Sequence, residues 1–153
     1  MWILYTIPAQ MGRMINPSQD SIPSLQDSLA LEDSVLLIHP DSVILTGKVI
    51  TGTASFYSVG FDGQQTANGE IYKNNRISAA SNNLKLNTWV RVTNLSNGNS
   101  LVIKINDRMH PRMKRKGRVI DLSRLAAKKL DFMEKGLTKV KLEVIEPPVI
   151  TKN

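Results

Sequence analysis

The chain contains no cysteine, which removes disulfide frameworks, thiol nucleophiles and cysteine-ligated zinc from consideration. It has only two histidines, His39 and His110, little material for a histidine-rich metal centre or a Ser-His-Asp triad. No metal or cofactor is expected. Aromatic residues make up 5% of the chain, so Tyr57, Phe61 and Trp89 must each be weighed as core before being read as a binding platform. No apolar run approaches the ~18–20 residues of a membrane span, and no integral membrane segment is expected. Residues 1–9 are apolar but lack a basic flank and are short for a signal peptide; one reading is the remnant of a leader.

What is present is charge, unevenly spread over 153 residues. Residues 1–50 hold two basic groups (Arg13, Lys48) and five acidic ones (Asp20, Asp27, Glu32, Asp33, Asp41), a net of −3. The remaining residues hold 18 basic and 8 acidic groups, a net of +10. Such a domain attracts polyanions: nucleic acid, an anionic membrane or a carboxylate-bearing wall polymer. No nucleic-acid motif or aromatic stacking platform accompanies the charge, so nucleic acid is not the expected partner.

Residues 10–34 are rich in Ser, Asp, Gln and Pro and read as a loosely packed arm. Val35–Ile38 and Val43–Leu45 are short β-prone runs around a turn at His39–Ser42. From Gly47 onward strands and turns alternate. Thr53–Ser58, Thr88–Thr93, Ser100–Asn106 and Thr138–Ile145 read as strands, and Asn97-Gly98 marks a hairpin between the second and third. One helix is expected near residues 123–131, capped by Ser123, with Leu122, Ala126 and Leu130 on one face and Lys128 and Lys129 at its end. The division is an arm at 1–50, one mainly β domain at 51–146 and a tail at 147–153.

Several short motifs follow in order: Gly52-Thr53-Ala54-Ser55-Phe56-Tyr57, Phe61-Asp62-Gly63, Thr66-Ala67-Asn68-Gly69-Glu70, Ser78-Ala79-Ala80-Ser81, Trp89–Leu95, Asn97-Gly98, Asn106-Asp107-Arg108 and Arg118–Ser123. Together they resemble the catalytic domain of the rare lipoprotein A family. The resemblance implies a six-stranded double-psi β-barrel, related to expansins, with peptidoglycan glycan strands as partner, a monomeric state and a place in the cell envelope or periplasm. It implies a lytic transglycosylase that leaves 1,6-anhydro-N-acetylmuramic ends. The alternative is an expansin-like wall-binding module without bond cleavage.

By the same resemblance the catalytic positions are Asp107, Glu70 and Ser81. Tyr57, Phe61, Thr66, Asn68 and Arg108 are the expected substrate-binding residues. The family pattern has a histidine where this chain has Ser81; serine can donate a hydrogen bond but cannot titrate near neutral pH. A lytic transglycosylase needs a carboxyl that starts protonated and later acts as base. Asp107 is the candidate, with burial or a neighbour such as Glu70 to hold its proton. Asp121 reads instead as a helix-start or bracing residue, and His110 as exposed. The run Arg108, Arg112, Lys114, Arg115, Lys116 and Arg118 reads as a solvated loop able to grip wall anions.

Overall fold

The computed structural model describes residues 39–149; the arm expected at 10–34 and the Val35–Ile38 run lie outside them. Six strands close into a barrel: β1 (Leu45–Phe56), β2 (Ala79–Ala80), β3 (Trp89–Asn94), β4 (Ser100–Asp107), β5 (Arg118–Leu122) and β6 (Thr138–Ile145). Their order around the barrel is β1-β5-β2-β4-β3-β6. β1 runs parallel to β5 and β2 parallel to β4, while the other four pairings are antiparallel. Parallel neighbours need crossover connections, and these two are the interlocked crossovers of a double-psi barrel. β1 begins at Leu45, upstream of the boundary expected at residue 51.

Alternation along each strand sends one set of side chains inward. Ala54, Ala79, Val90, Val92, Ile103, Ile105, Ile120, Leu122, Val140 and Leu142 are all fully buried in a single core. Each of the larger ones contributes ~1.5–3 kcal/mol of transfer free energy. β3 and β4 form the expected hairpin, with Gly98 at φ +79° in the turn. Asn94, a fully buried polar side chain, donates to the Leu130 carbonyl at 2.8 Å and accepts from the Thr138 hydroxyl at 2.7 Å. It thereby ties β3 to β6 and to the helix before it. Outside the barrel, Arg91 on β3 donates to Glu143 on β6 at 2.8 Å and to the Pro40 carbonyl at 2.9 Å.

Two short α-helices are present among the described residues rather than one. The expected helix is six residues long, α2 (Arg124–Lys129); the Ser123 hydroxyl accepts from the Ala126 N–H, and Leu122, Ala126 and Leu130 are fully buried. The other, α1 (Pro111–Arg115), lies in the basic run that reads as loop. Pro111 suits the first helical turn. His110 caps it, its Nδ1 accepting from the Arg112 N–H at 3.2 Å. Half-buried Met113 anchors the helix against Tyr57, Tyr72, Ala80 and Met109.

β1 and β5 approach so closely at Gly52 that a methyl group there would collide with the Val119 side chain. Gly52→Ala should therefore lower stability by ~1–3 kcal/mol, the usual cost of overpacking. Gly60→Ala, which meets nothing within 4 Å, should leave the melting temperature nearly unchanged. Thermal unfolding of both variants checks the contrast.

Candidate active site

One rung of the sheet organises the candidate site. Ala80 on β2 pairs with Asp107 of β4 on one side and Asp121 of β5 on the other, and Asp121 in turn pairs with Ser55 of β1. Residues on one rung share a face of the sheet. By simple alternation Asp107 would follow Leu101, Ile103 and Ile105 into the core. The β2–β4 register instead shifts between Ala79 and Ala80, so that Ile105 and Asp107 oppose consecutive residues. This bulge turns Asp107 onto the outer face; re-aiming a side chain is what such bulges do. The two aspartates stand two strand spacings apart, ~9–10 Å between Cα atoms. Between them Ala80 is sealed under Tyr57, Tyr72 and Met109; the outer face of this rung, with a half-buried carboxyl at either edge, is the trough of the candidate site.

Asp107 is held by three donors. The Tyr57 hydroxyl donates to Oδ2 at 2.6 Å, and the Ala67 and Arg108 N–H groups donate to Oδ1 at 2.9 and 2.8 Å. Burial, and then the bond to Asp107, push the Tyr57 hydroxyl far above the ordinary tyrosine range. Its ring stacks on Tyr72 with centroids 4.4 Å apart and meets the edge of Phe61 at 5.4 Å. Phe61, which meets Tyr57, remains 43% exposed and gives the site an apolar rim; Val59 and Ile71, close to this cluster in sequence, are 68% and 50% exposed.

The Thr66–Glu70 loop is clamped onto the end of β4. Gly69 takes φ +92° in its turn. Thr66 is buried, its hydroxyl bonded to Asn68 Oδ1 at 2.8 Å, and Asn68 donates to Glu70 and to Asn87, each at 3.0 Å. Glu70 accepts from Lys104 and, at 3.0 Å, from Asn106. Partial burial pushes the Glu70 carboxyl up, but the bonds from Lys104, Asn106 and Asn68 outweigh it and hold it below the usual range. Glu70 is therefore an ion-paired carboxylate beside the Asp107 loop. The carboxyl on Asp107's own rung is Asp121, which the sequence analysis read as bracing.

The remaining expected residues bond to neighbouring backbone groups. Ser81 is fully buried; its hydroxyl donates to the Val119 carbonyl at 2.8 Å and accepts from the Asn83 N–H at 3.2 Å. Arg108 donates through Nη1 to the Ser81 carbonyl and to the Leu84 carbonyl, the latter at 2.6 Å. Trp89 stands on β3 opposite Lys104 and takes no part in the Tyr57 cluster. Asp121 accepts from the Ser55 hydroxyl at 2.8 Å, and Arg118 reaches that hydroxyl at 3.3 Å. The alternation of Ile120 and Leu122 with Asp121 was the sequence signal that Asp121 faces away from the core.

Residues 49–142 match the family model described as lytic transglycolase. The chain is 50% identical over 98 residues to the endolytic peptidoglycan transglycosylase RlpA of Pseudomonas aeruginosa (strain UCBPP-PA14), covering 64% of this chain and 28% of that protein. It belongs to the rare lipoprotein A (RlpA) family. The RlpA of Campylobacter jejuni is 41% identical over 104 residues, which span 68% of this chain and 37% of that protein. The chain thus spans about a third of the length of the curated RlpA relatives it matches. Among solved structures, the Streptomyces papain inhibitor superposes with a TM-score of 0.53 at 21% identity, covering 67% of this chain and 99% of that one. The Clavibacter michiganensis expansin superposes with a TM-score of 0.52 at 20% identity, covering 67% and 53%. At these identities the likeness is one of fold alone, and it places the RlpA-family barrel among double-psi barrels of other kinds.

Glu70 gives the RlpA-family site a pH signature. Its folded-state pKa lies below the ordinary value, so its contribution to stability is present at neutral pH and is lost as pH falls through the folded-state value. Glu70→Gln should cost less than about 1 kcal/mol at pH 7, because the pair is partly solvated. The gap from wild type should close in acid, as read from denaturant midpoints across a pH series.

Proposed function

We propose that this barrel is a lytic transglycosylase of the cell envelope. It cleaves peptidoglycan glycan strands between N-acetylmuramic acid and N-acetylglucosamine and leaves 1,6-anhydro-N-acetylmuramic ends. The observation that carries the reading is Asp107, a half-buried carboxyl turned out of the core and fixed by three donors, with the exposed Phe61 beside Tyr57 to suit the face of a sugar ring. The names of the relatives point to the same substrate, and the net charge of residues 51–153 suits an anionic wall polymer.

The chemistry asks for such a group. A glycosidic oxygen leaves poorly without a proton, and a hydrolase adds a second carboxylate to drive water or form a covalent intermediate. In a transglycosylase the muramyl 6-hydroxyl is the nucleophile, so proton transfer is the main task of the side chains. Asp107 is the carboxyl on which that transfer turns. Glu70, ion-paired and fixed on the adjoining loop, is suited to orienting sugar hydroxyls. Tyr57 aims Asp107, Phe61 offers its face to the sugar, and Thr66, Asn68 and Arg108 shape the walls.

The second reading is a non-catalytic, expansin-like wall-binding module. What favours it is Ser81, which supplies no titratable group at the family's histidine position and whose hydroxyl is committed to Val119. Digestion of purified glycan strands, with mass spectrometry of the ends, separates the two. Wild type should release anhydro ends, and Asp107→Asn should lower that rate by ~10²–10⁴ while sacculus binding persists. Release of no anhydro ends by wild type would leave the binding module.

A separate expectation comes from α1. Arg112, Lys114, Arg115 and Lys116 are exposed and form no salt bridge among the described residues. Exposed charges are screened beyond ~8–10 Å at ordinary ionic strength. Sacculus binding should weaken as salt rises, and the Arg112→Glu/Lys114→Glu double variant should flatten that dependence in a pull-down titration.

A further inference from the structure

We infer that Asp121 is a second working carboxyl of the trough, the proton carrier that faces Asp107 across Ala80. The inference rests on the transglycosylase reading and divides its proton transfer between two residues: Asp121 takes the acid half and Asp107 the base half.

The two aspartates share a rung but not an environment. All three donors at Asp107 occupy both of its oxygens, so it is laid out as an acceptor. At Asp121 the Ser55 hydroxyl takes Oδ1, and Oδ2 accepts no hydrogen bond among the described residues. No fully buried side-chain oxygen among them lacks a partner, so Oδ2 of this half-buried residue keeps some contact with solvent. It is the free position from which a proton can be delivered. Every element around Asp121 contributes a group. β1 brings Ser55, the residue just past its end is Tyr57, β4 brings Asp107, β5 brings Arg118, and Tyr72 lies close enough to feel its charge. Burial pushes the Asp121 carboxyl up. The Ser55 bond and Arg118 pull it down, the charge of Asp107 adds to the rise, and the balance lies above the ordinary aspartate value. Two neighbouring carboxyls whose surroundings differ in this way are the usual basis for separating acid from base.

The step balances without a co-reactant. Asp121 gives its proton to the oxygen joining the muramyl and glucosaminyl residues as the C1–O bond breaks. The bonding pair leaves with that oxygen, which becomes the glucosaminyl 4-hydroxyl. The muramyl 6-hydroxyl oxygen bonds to C1, closing the anhydro ring, and its proton passes to the Asp107 carboxylate. Exchange with water then reprotonates Asp121 and frees Asp107.

Two measurements test this on the full chain. In the glycan digest, Asp121→Asn should lose ~10²–10⁴ in rate with its melting temperature and sacculus binding kept, and Asp121→Glu should recover part of the loss. Arg118→Met should shift the alkaline limb of the pH–rate profile upward, because a cation that favours the ionised form is gone. In carboxyl carbon NMR, wild-type Asp121 should titrate above the ordinary aspartate range, and Asp107→Asn should bring it down. Full activity in Asp121→Asn overturns the inference. So does an Asp121 that titrates in the ordinary range and ignores Asp107→Asn, whether or not the Asn variant folds. An inactive wild type sinks the transglycosylase reading, and the NMR arm then decides by itself whether Asp121 carries the proton opposite Asp107.

Discussion

The pairing of Ala80 with Asp107 on one edge and Asp121 on the other is the constraint on which the trough depends. β2 is only two residues long, yet it lies between β4 and β5 and sets the spacing between the two carboxyls. A larger residue at position 80 would push against Tyr57, Tyr72 and Met109, which cover it. A regular register on the β4 side would send Asp107 into the core with Ile103 and Ile105. The bulge is thus the local irregularity through which a close-packed barrel presents a charged group to solvent, and irregularities of this kind gather beside functional sites.

The surroundings hold that arrangement stiff. Tyr57 is locked between Tyr72 and Phe61 before it reaches Asp107, so its hydroxyl arrives with little freedom left to lose. The Thr66–Glu70 loop is tied to β4 through Asp107 at one point and through Asn106 and Lys104 at another. Preorganised donors of this sort contribute most where charge develops during reaction. The apolar rim and the basic α1 lie outside this frame, where they are free to meet a polymer.

Ser81 has a structural duty that every polar group of the residue shares. Its backbone N–H donates to the Asp107 carbonyl at 3.1 Å, its carbonyl accepts from Arg108, and its hydroxyl satisfies Val119. A buried hydroxyl with all its partners supplied is stable where it is. It braces the strand end that carries Asp107 without reaching the trough.

Much of the fold was legible in the residues alone. Alternation marked β3, β4 and β6, Asn97-Gly98 marked their hairpin, and Ser123 with Leu122, Ala126 and Leu130 marked α2, because these signals act over a few residues. Asp107 and Glu70 came from ordered motifs. What stayed hidden depends on contacts between distant segments. α1 forms in a run of cations because Pro111 and His110 start it and because Met113 finds an aromatic cluster assembled from three other regions of the chain. That the Ser81 hydroxyl is taken by a carbonyl of β5 depends on a residue 38 positions away. Asp121 looked like a brace because its partner across the trough is fourteen positions away, at Asp107, on a strand that is not its neighbour. The sequence by itself determined four of the strands, the hairpin turn and α2, since periodicity and turn chemistry are local, while the six-stranded barrel followed from the resemblance carried by its ordered motifs. Only the tertiary structure decided which carboxyls face one another, because strand register and a single bulge, both set by pairing across the barrel, choose the face on which each side chain stands.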